Sequence, residues 1–291
     1  MKKQTLLDRR YPFWLALPAV IIFSVFFILP IIMGTGLSMT NWDMELARID
    51  FVGLRNYVNI FSDKYYWMAA KNTLIFAVSI LLLRNILALL LALCVTDKLK
   101  TRNFLRTIFY IPSVLSYIVV GILFTAILKS DGLLNRFLSA LGFTAYIDWL
   151  GNGKIAMVSV IMLDVWMWTG FLAAIYIAGL QAIPRDYYEA ARIDGANGVQ
   201  QFFAISLPML APSLQICITL SLVGGIGAFE QILLTNGGPG RATNVIRLLV
   251  YQTFSQGMYG KATAMELSLA LIIFLLSALV ARFFSTREVE M

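Results

Sequence analysis

The stretch YYEAARIDGANGVQQFFAISLPML, residues 187–210, decides how this chain is read. It lies between two strongly apolar segments, yet it carries Glu189, Arg192 and Asp194 in close order. Pro184 pre-sets a helix start, and Asp186 and Glu189 suit the positive end of that helix's dipole. Ala190 and Ala191 keep the backbone approachable by another surface. Gly195, after Asp194, reads as a left-handed stop, and Asn197 with Gly198 continues the turn. Helical character resumes in VQQFFAISLP, 199–208, and Pro208 marks where the next apolar segment begins. The spacing predicts a short exposed helix, a sharp turn and a second helix. Such a unit is a rigid lever that a partner's groove can seat.

The rest of the chain says what the lever is attached to. Of 291 residues 59% are hydrophobic and only 13% charged, against about 25% charged in soluble domains. That composition points to a bilayer. Six segments are apolar over about the length a bilayer needs: 13–37, 70–95, 106–128, 155–180, 208–228 and 264–284. The N-terminus MKKQTLLDRR resembles a signal peptide, but the charge-free run extends from Tyr11 to Trp42. A secretory apolar region is about 7–15 residues, so a retained first span is expected.

The net charge of +7 has its place in the short loops. Lys2, Lys3, Arg9 and Arg10 precede the first span, and Lys98, Lys100, Arg102 and Arg106, opposed by Asp97, separate the second from the third. Positive loops face the cytoplasm. Residues 1–12 and 285–291 and the lever segment 181–207 are therefore expected inside, and Arg282 and Arg287 agree. The loops 38–69, 129–154 and 229–263 are expected outside.

Site chemistry has few materials. There is no histidine, and Cys94 and Cys217 each sit within an apolar run, so neither a metal site nor a disulfide framework is indicated. A phosphate-cradling G-x-x-x-x-G-K-[ST] loop is missing. Gly153-Lys154 has Asp148 where the first glycine belongs, and Gly260-Lys261 has Ser255. No catalytic residue and no cofactor of this chain's own is expected.

Charges at membrane depth mark a pathway or an internal pair. Arg84 lies in the second span and Asp164 in the fourth. Asp164 and Trp168 share a helix face with Phe171, whereas Trp166 points elsewhere. Asp164 and Trp168 suit a ligand that, as a sugar does, offers both C–H faces and hydroxyls, the flat ring taking the former and the polar group the latter. The plainer alternative is a bond from Arg84 to Asp164 or to a carbonyl that holds spans together. In the fifth span Ser213, Gln215, Thr219 and Ser221 join Gly224, Gly225 and Gly227; small residues there mean close packing first, and Gln215 is the candidate for contact with anything that passes between the spans. Glu230 at the outer mouth is a further candidate.

Glu189-Ala190-Ala191, three residues, Gly195, nine residues, then Ile205-x-Leu207-Pro208 is similar to the EAA motif of permease subunits in bacterial ABC importers. FVGLRNY at 51–57 with Asn72-Thr73-Leu74, FLRTIFYIPS at 104–113 and LLTNGGPGRAT at 233–243 resemble the carbohydrate permeases of that family, and the last resembles the first of the two permeases in maltose- and multiple-sugar-type systems. The resemblance implies an all-α membrane protein of the type I ABC importer permease fold. Six transmembrane helices would carry a cytoplasmic coupling helix at about 185–198, with 70–284 as the transmembrane domain proper. It implies a bacterial cytoplasmic membrane, a second permease in a heterodimer, two ATPase subunits that use ATP and magnesium, and an extracellular sugar-binding protein. Glu189, Ala190, Ala191, Asp194, Gly195, Ile205, Leu207 and Pro208 would be the coupling residues. Two alternatives remain: a glycerol-phosphate or uronate-type cargo, and an ion-coupled secondary transporter. The latter would show acidic or histidine relays.

Overall fold

The computed structural model describes residues 13–45, 48–96, 101–143, 146–233, 235 and 237–285. The positive residues before the first span, the charges at 97–100, and Arg287 lie outside the described residues, as do Leu234 and Asn236. Among the described residues the chain is helical, with one isolated bridge between Thr40 and Phe51. Six runs are long and apolar enough to cross a membrane: Trp14–Ser38, Lys64–Val95, Tyr117–Ala140, Ala156–Ala182, Ala211–Leu233 and Tyr259–Phe284.

The chain forms two compact units. The first comprises residues Met1–Asp63 and Val250–Ser268. Its helix α1, Trp14–Ser38, is exposed over most of its length and buried at Ser38. A short helix α2, Arg55–Phe61, follows. Within the FVGLRNY motif the Asn56 amide donates to the carbonyls of Ser38 and Thr40, both at 2.8 Å, and so satisfies the free end of α1. Tyr57 shares a hydrogen bond with the Ser38 hydroxyl at 2.9 Å.

The second unit comprises Lys64–Leu249 and Leu269–Met291. It is built on two long helices, α3, Lys64–Thr96, and α7, Ala156–Ala182. Between them in sequence come α4, Arg102–Val114, α5, Tyr117–Leu128, and α6, Leu133–Ala140. After α7 follow α8, Arg185–Ile193, the four-residue α9, Gly198–Gln201, then α10, Ala211–Ile226, and α11, Glu230–Leu233. Two further helices, α12, Ile246–Ser255, and α13, Tyr259–Ser285, have residues in both units.

Small residues set the closest crossings of this unit. A Cβ on Gly170 of α7 would overlap the Phe109 carbonyl of α4. One on Gly225 of α10 would fall 2.8 Å from the Ala77 Cα of α3. Backbones approach this closely because lipid tails offer no hydrophobic drive between helices, and packing has to supply it.

Two apolar clusters lie along α3. Phe76 and Ile80 pack with Val160, Ile161, Val165, Ile232 and Leu248. Ala88, Ala92 and Val95 pack with Leu172, Ala173, Tyr176 and Cys217. Arg84 and Asn85 fall between the two on the same helix. They form a polar layer.

The third span departs from expectation. Residues 106–128 read as one apolar helix, but the helix ends at Val114, and Leu115 (φ −75°, ψ 147°) and Ser116 (φ −66°, ψ 138°) are extended before α5 starts. Pro112 has no N–H to give to the preceding turn, and Ser116 offers its hydroxyl to the Ile118 N–H at 3.3 Å as a new N-cap.

Candidate functional site

The lever is laid out as its sequence dictates. Pro184 is the N-cap residue of α8, Asp186 lies in its first turn and Arg192 in its last. The stop is a paired turn: Ala196 N–H bonds the Ala191 carbonyl at 2.9 Å and Gly195 N–H the Arg192 carbonyl at 3.1 Å. That pattern needs a left-handed residue, and Gly195 supplies it at φ +80°. Asn197 then caps α9 in a capping box with Gln200, each side chain bonding the other's N–H at 2.9 and 2.8 Å. The return helix passes through a π turn, Phe202–Ser206, where Pro208 leaves a carbonyl one turn back without its donor.

No residue of α8 is buried. Glu189, Ala190, Asp194 and Gly195 are exposed, and Ala191, Ile205 and Leu207 are half-buried. Tyr187, Ile193, Val199 and Phe203 add exposed apolar surface beside them, with Ile193 at 87% exposure. One tie runs back to the helix that leads into the membrane: Tyr188 and Ser206 share a hydrogen bond at 2.9 Å. The unit can seat in a partner and pass a push to α10.

At membrane depth the structure joins the two deep charges. Asp164 is fully buried and Arg84 is 3% exposed, and an Arg84 Nη2 hydrogen bonds Asp164 Oδ1. The other carboxylate oxygen accepts from the Tyr117 hydroxyl and from Gln231 Nε2, each at 3.2 Å. Trp168 Nε1 donates to the Tyr117 hydroxyl, and the Arg84 guanidinium lies 5.7 Å from the centroid of the Trp168 ring. Asp164 and Trp168 therefore meet through Tyr117. Trp166 packs instead on Phe124, with ring centroids 5.3 Å apart.

Next to this cluster, Asn85 donates to Ser221 at 3.0 Å and accepts from the Tyr176 hydroxyl at 2.6 Å. Gln215 is half-buried and makes no hydrogen bond to any of these groups. Glu230 is exposed, whereas its neighbour Gln231 is buried and joins Asp164. Tyr117 and Gln231 are not among the residues that stand out in the sequence. The signal for them was indirect: a buried carboxylate needs several donors, and the charges in the spans supply one.

Four aromatic rings form a row past this cluster. Tyr110 lies 6.2 Å from Phe171, Phe171 5.6 Å from Trp168, and Trp168 6.4 Å from Tyr117. Beside the row a groove of about 630 Å³, lined by Phe109, Tyr110, Leu115 and Gly170, opens between α4 and α7.

The TNGGPG segment is held from α3. The Asn72 amide donates to the carbonyls of Arg241 (3.1 Å) and Asn244 (2.9 Å), and the Thr73 hydroxyl accepts from the Ile246 N–H at 3.0 Å. Gly237, Gly238, Gly240 and Arg241 all have positive φ, and the Arg241 guanidinium stacks 4.1 Å from the Tyr65 ring centroid. A non-glycine residue in that region is uncommon. Asn72 and Tyr65 hold it there.

Residues 84–287 match the family described as binding-protein-dependent transport system inner membrane component. The trehalose/maltose transport system permease protein MalF of Thermococcus litoralis is 37% identical over 263 residues, which cover 89% of this chain and 88% of that one. The multiple sugar-binding transport system permease protein MsmF of Streptococcus mutans is 34% identical, with 88% of each chain covered. A chain of a bacterial ABC transporter involved in the import of the acidic polysaccharide alginate superposes with a TM-score of 0.82 at 26% identity, over 96% of both chains.

Proposed function

The chain belongs to the family of binding-protein-dependent transport system inner membrane components, and from that premise we propose that it is one of two membrane subunits of an ATP-driven sugar importer. It is a multi-pass membrane protein and a transport subunit. Its cargo is a sugar, most simply an oligosaccharide, in keeping with relatives named for trehalose/maltose, multiple sugars and arabinooligosaccharides. A solved relative is in complex with a pentasaccharide-bound periplasmic protein, which supports delivery by an extracellular binding protein.

The observation that carries this reading is the exposed helix α8, closed by a left-handed glycine and bonded to the return helix by Tyr188. Under this reading α8 faces the cytoplasm with Arg185 and Arg192, and a separate ATPase subunit seats it through Glu189, Ala190, Ala191 and the apolar rim of Tyr187, Ile193 and Val199. Two such subunits hydrolyse ATP with magnesium, one under each permease. Closure of the ATPases pushes α8, and Ile205, Leu207 and Pro208 transmit the push to α10. The loop anchored by Asn72 faces outward, toward the binding protein, and Glu230 stands at that mouth.

The aromatic row from Tyr110 to Tyr117 is the track along which sugar rings slide, with Trp168 as its central contact. Gln215 stays a candidate for cargo hydroxyls. Asp164 is assigned to architecture, because its oxygens are used by Arg84, Tyr117 and Gln231. Arg84 is engaged by Asp164, so it is not available to a phosphate- or carboxylate-bearing cargo, which favours an uncharged sugar.

Uptake by vesicles carrying the full complex tests the reading. Accumulation of sugar that requires ATP inside and loaded binding protein outside, and survives collapse of ion gradients, is expected. Uptake that follows an ion gradient without ATP would overturn it.

A further inference from the structure

The apolar segments 106–128 and Ala211–Leu233 are each interrupted, and the two interruptions fall at similar depths. α4 and α10 start from the end of the bundle where α7 finishes: Tyr110 of α4 packs on Phe171, and Leu210 and Ser213 lie against Gly179. α4 runs for 13 residues before extended Leu115 and Ser116, and α10 for 16 residues before Gly227. At 1.5 Å per residue the breaks stand about 20 and 24 Å from that end. Asp164 lies at about 27 Å by the same measure, counted back from Ala182 along α7.

Each break is finished as an end. Ser116 caps the start of α5. The Gly227 carbonyl, at the negative end of α10, accepts from Arg247 Nη1 at 2.9 Å. Beyond the breaks lie α5 and α11, and the side chains that reach Asp164 sit on their first turns. Tyr117 is the first residue of α5 and Gln231 the second of α11. Both bond the same carboxylate oxygen, while Arg84 of α3 takes the other. A buried pair needs no partner but its counter-ion and local donors. Here the two neutral donors come from the two segments that the breaks set loose.

We propose that Asp164 is a positioning residue: it fastens α5 and α11 to α7 and α3, so that the segments beyond the breaks travel as one body while the breaks act as hinges. The proposal rests on the transport reading above. It assigns Asp164 a role in coupling between remote sites, with no contact to cargo, and couplings of this kind are typically worth about 5- to 150-fold in the affinity or population they bias. Closure beneath the membrane then moves one block rather than two independent flaps.

The test uses the full complex in vesicles, in a Cys94→Ser background, with spin labels at Ile122 on α5 and Leu233 on α11. Both positions are exposed, at 65% and 38%. Tyr117→Phe and Gln231→Leu each remove one tether and leave the Arg84–Asp164 pair in place, so folding is spared. The wild type is expected to keep one narrow label distance with and without ATP. The double variant is expected to broaden that distance, with a second arrangement gaining about fivefold in population, and to consume more ATP per sugar imported. A wild-type distance that changes with nucleotide, or a double variant with the wild-type distance and ratio, overturns the proposal. If the wild type imports no sugar while the label distance behaves as stated, the cargo reading fails and the fastening stands.

Discussion

Tyr188 on the exposed helix and Ser206 on the return helix share one hydrogen bond, 2.9 Å long, between an element no residue of which is buried and a serine that is. Under the proposed function it is the side-chain tie that would carry a push on α8 to the helix that runs on into α10. Tyr188→Phe removes the bond and keeps the ring. One hydrogen bond is worth about 1 kcal/mol, so assembly should survive. The expected outcome is a lower ratio of sugar imported to ATP hydrolysed, read in vesicles containing the complete importer.

Gly195 separates strain from bulk. A Cβ placed there meets nothing within 4 Å, so a substitution is penalised only through φ +80°. For an ordinary residue the left-handed conformation costs about 1–2 kcal/mol, and asparagine is more tolerant. Gly195→Asn should keep transport close to wild type, and Gly195→Val should uncouple ATP hydrolysis from it. Equal, normal transport by both in an assembled complex would remove the lever from the account.

The Arg84–Asp164 pair makes a sign prediction about stability. Arg84→Ala leaves a buried carboxylate without its counter-ion, which typically costs about 3–5 kcal/mol. Arg84→Met combined with Asp164→Leu removes both charges and should recover most of the thermal midpoint of the detergent-purified complex. Under the fastening proposal the double variant recovers stability and leaves coupling impaired. A double variant less stable than Arg84→Ala would show that the pair itself is the source of stability.

Asn72 holds the carbonyls of Arg241 and Asn244 with one amide. Asn72→Asp turns a donor into an acceptor facing those carbonyls and should release Arg241 from its left-handed conformation. The expected effect is a loss of the stimulation that the loaded binding protein gives to ATP hydrolysis, measured by titrating that protein onto the complex.

How much of this was legible depends on how local each feature is. The left-handed stop at Gly195 and the helix start at Pro184 could be read, because a turn is specified by the residues within it. The need for a partner to Arg84 was legible too, since a charge at that depth demands one. Tyr117 and Gln231 were not legible: they reach Asp164 from 47 and 67 residues away, and neither is charged. The break at Leu115–Ser116 was hidden by its apolar surroundings, since a hydropathy pattern sees a continuous span where the backbone turns extended. Glu230 stands out in the sequence by its charge, while the buried contact belongs to Gln231 next to it.

Under the proposed function this chain couples ATP hydrolysis in a partner to delivery of a sugar by another. The most direct measurement is ATP hydrolysis by the complex with its neighbouring permease and ATPase, with the binding protein loaded in turn from a panel of sugars. Stimulation by one class of oligosaccharide is expected, and little by the unloaded protein. An intact complex that no sugar-loaded binding protein stimulates would contradict it.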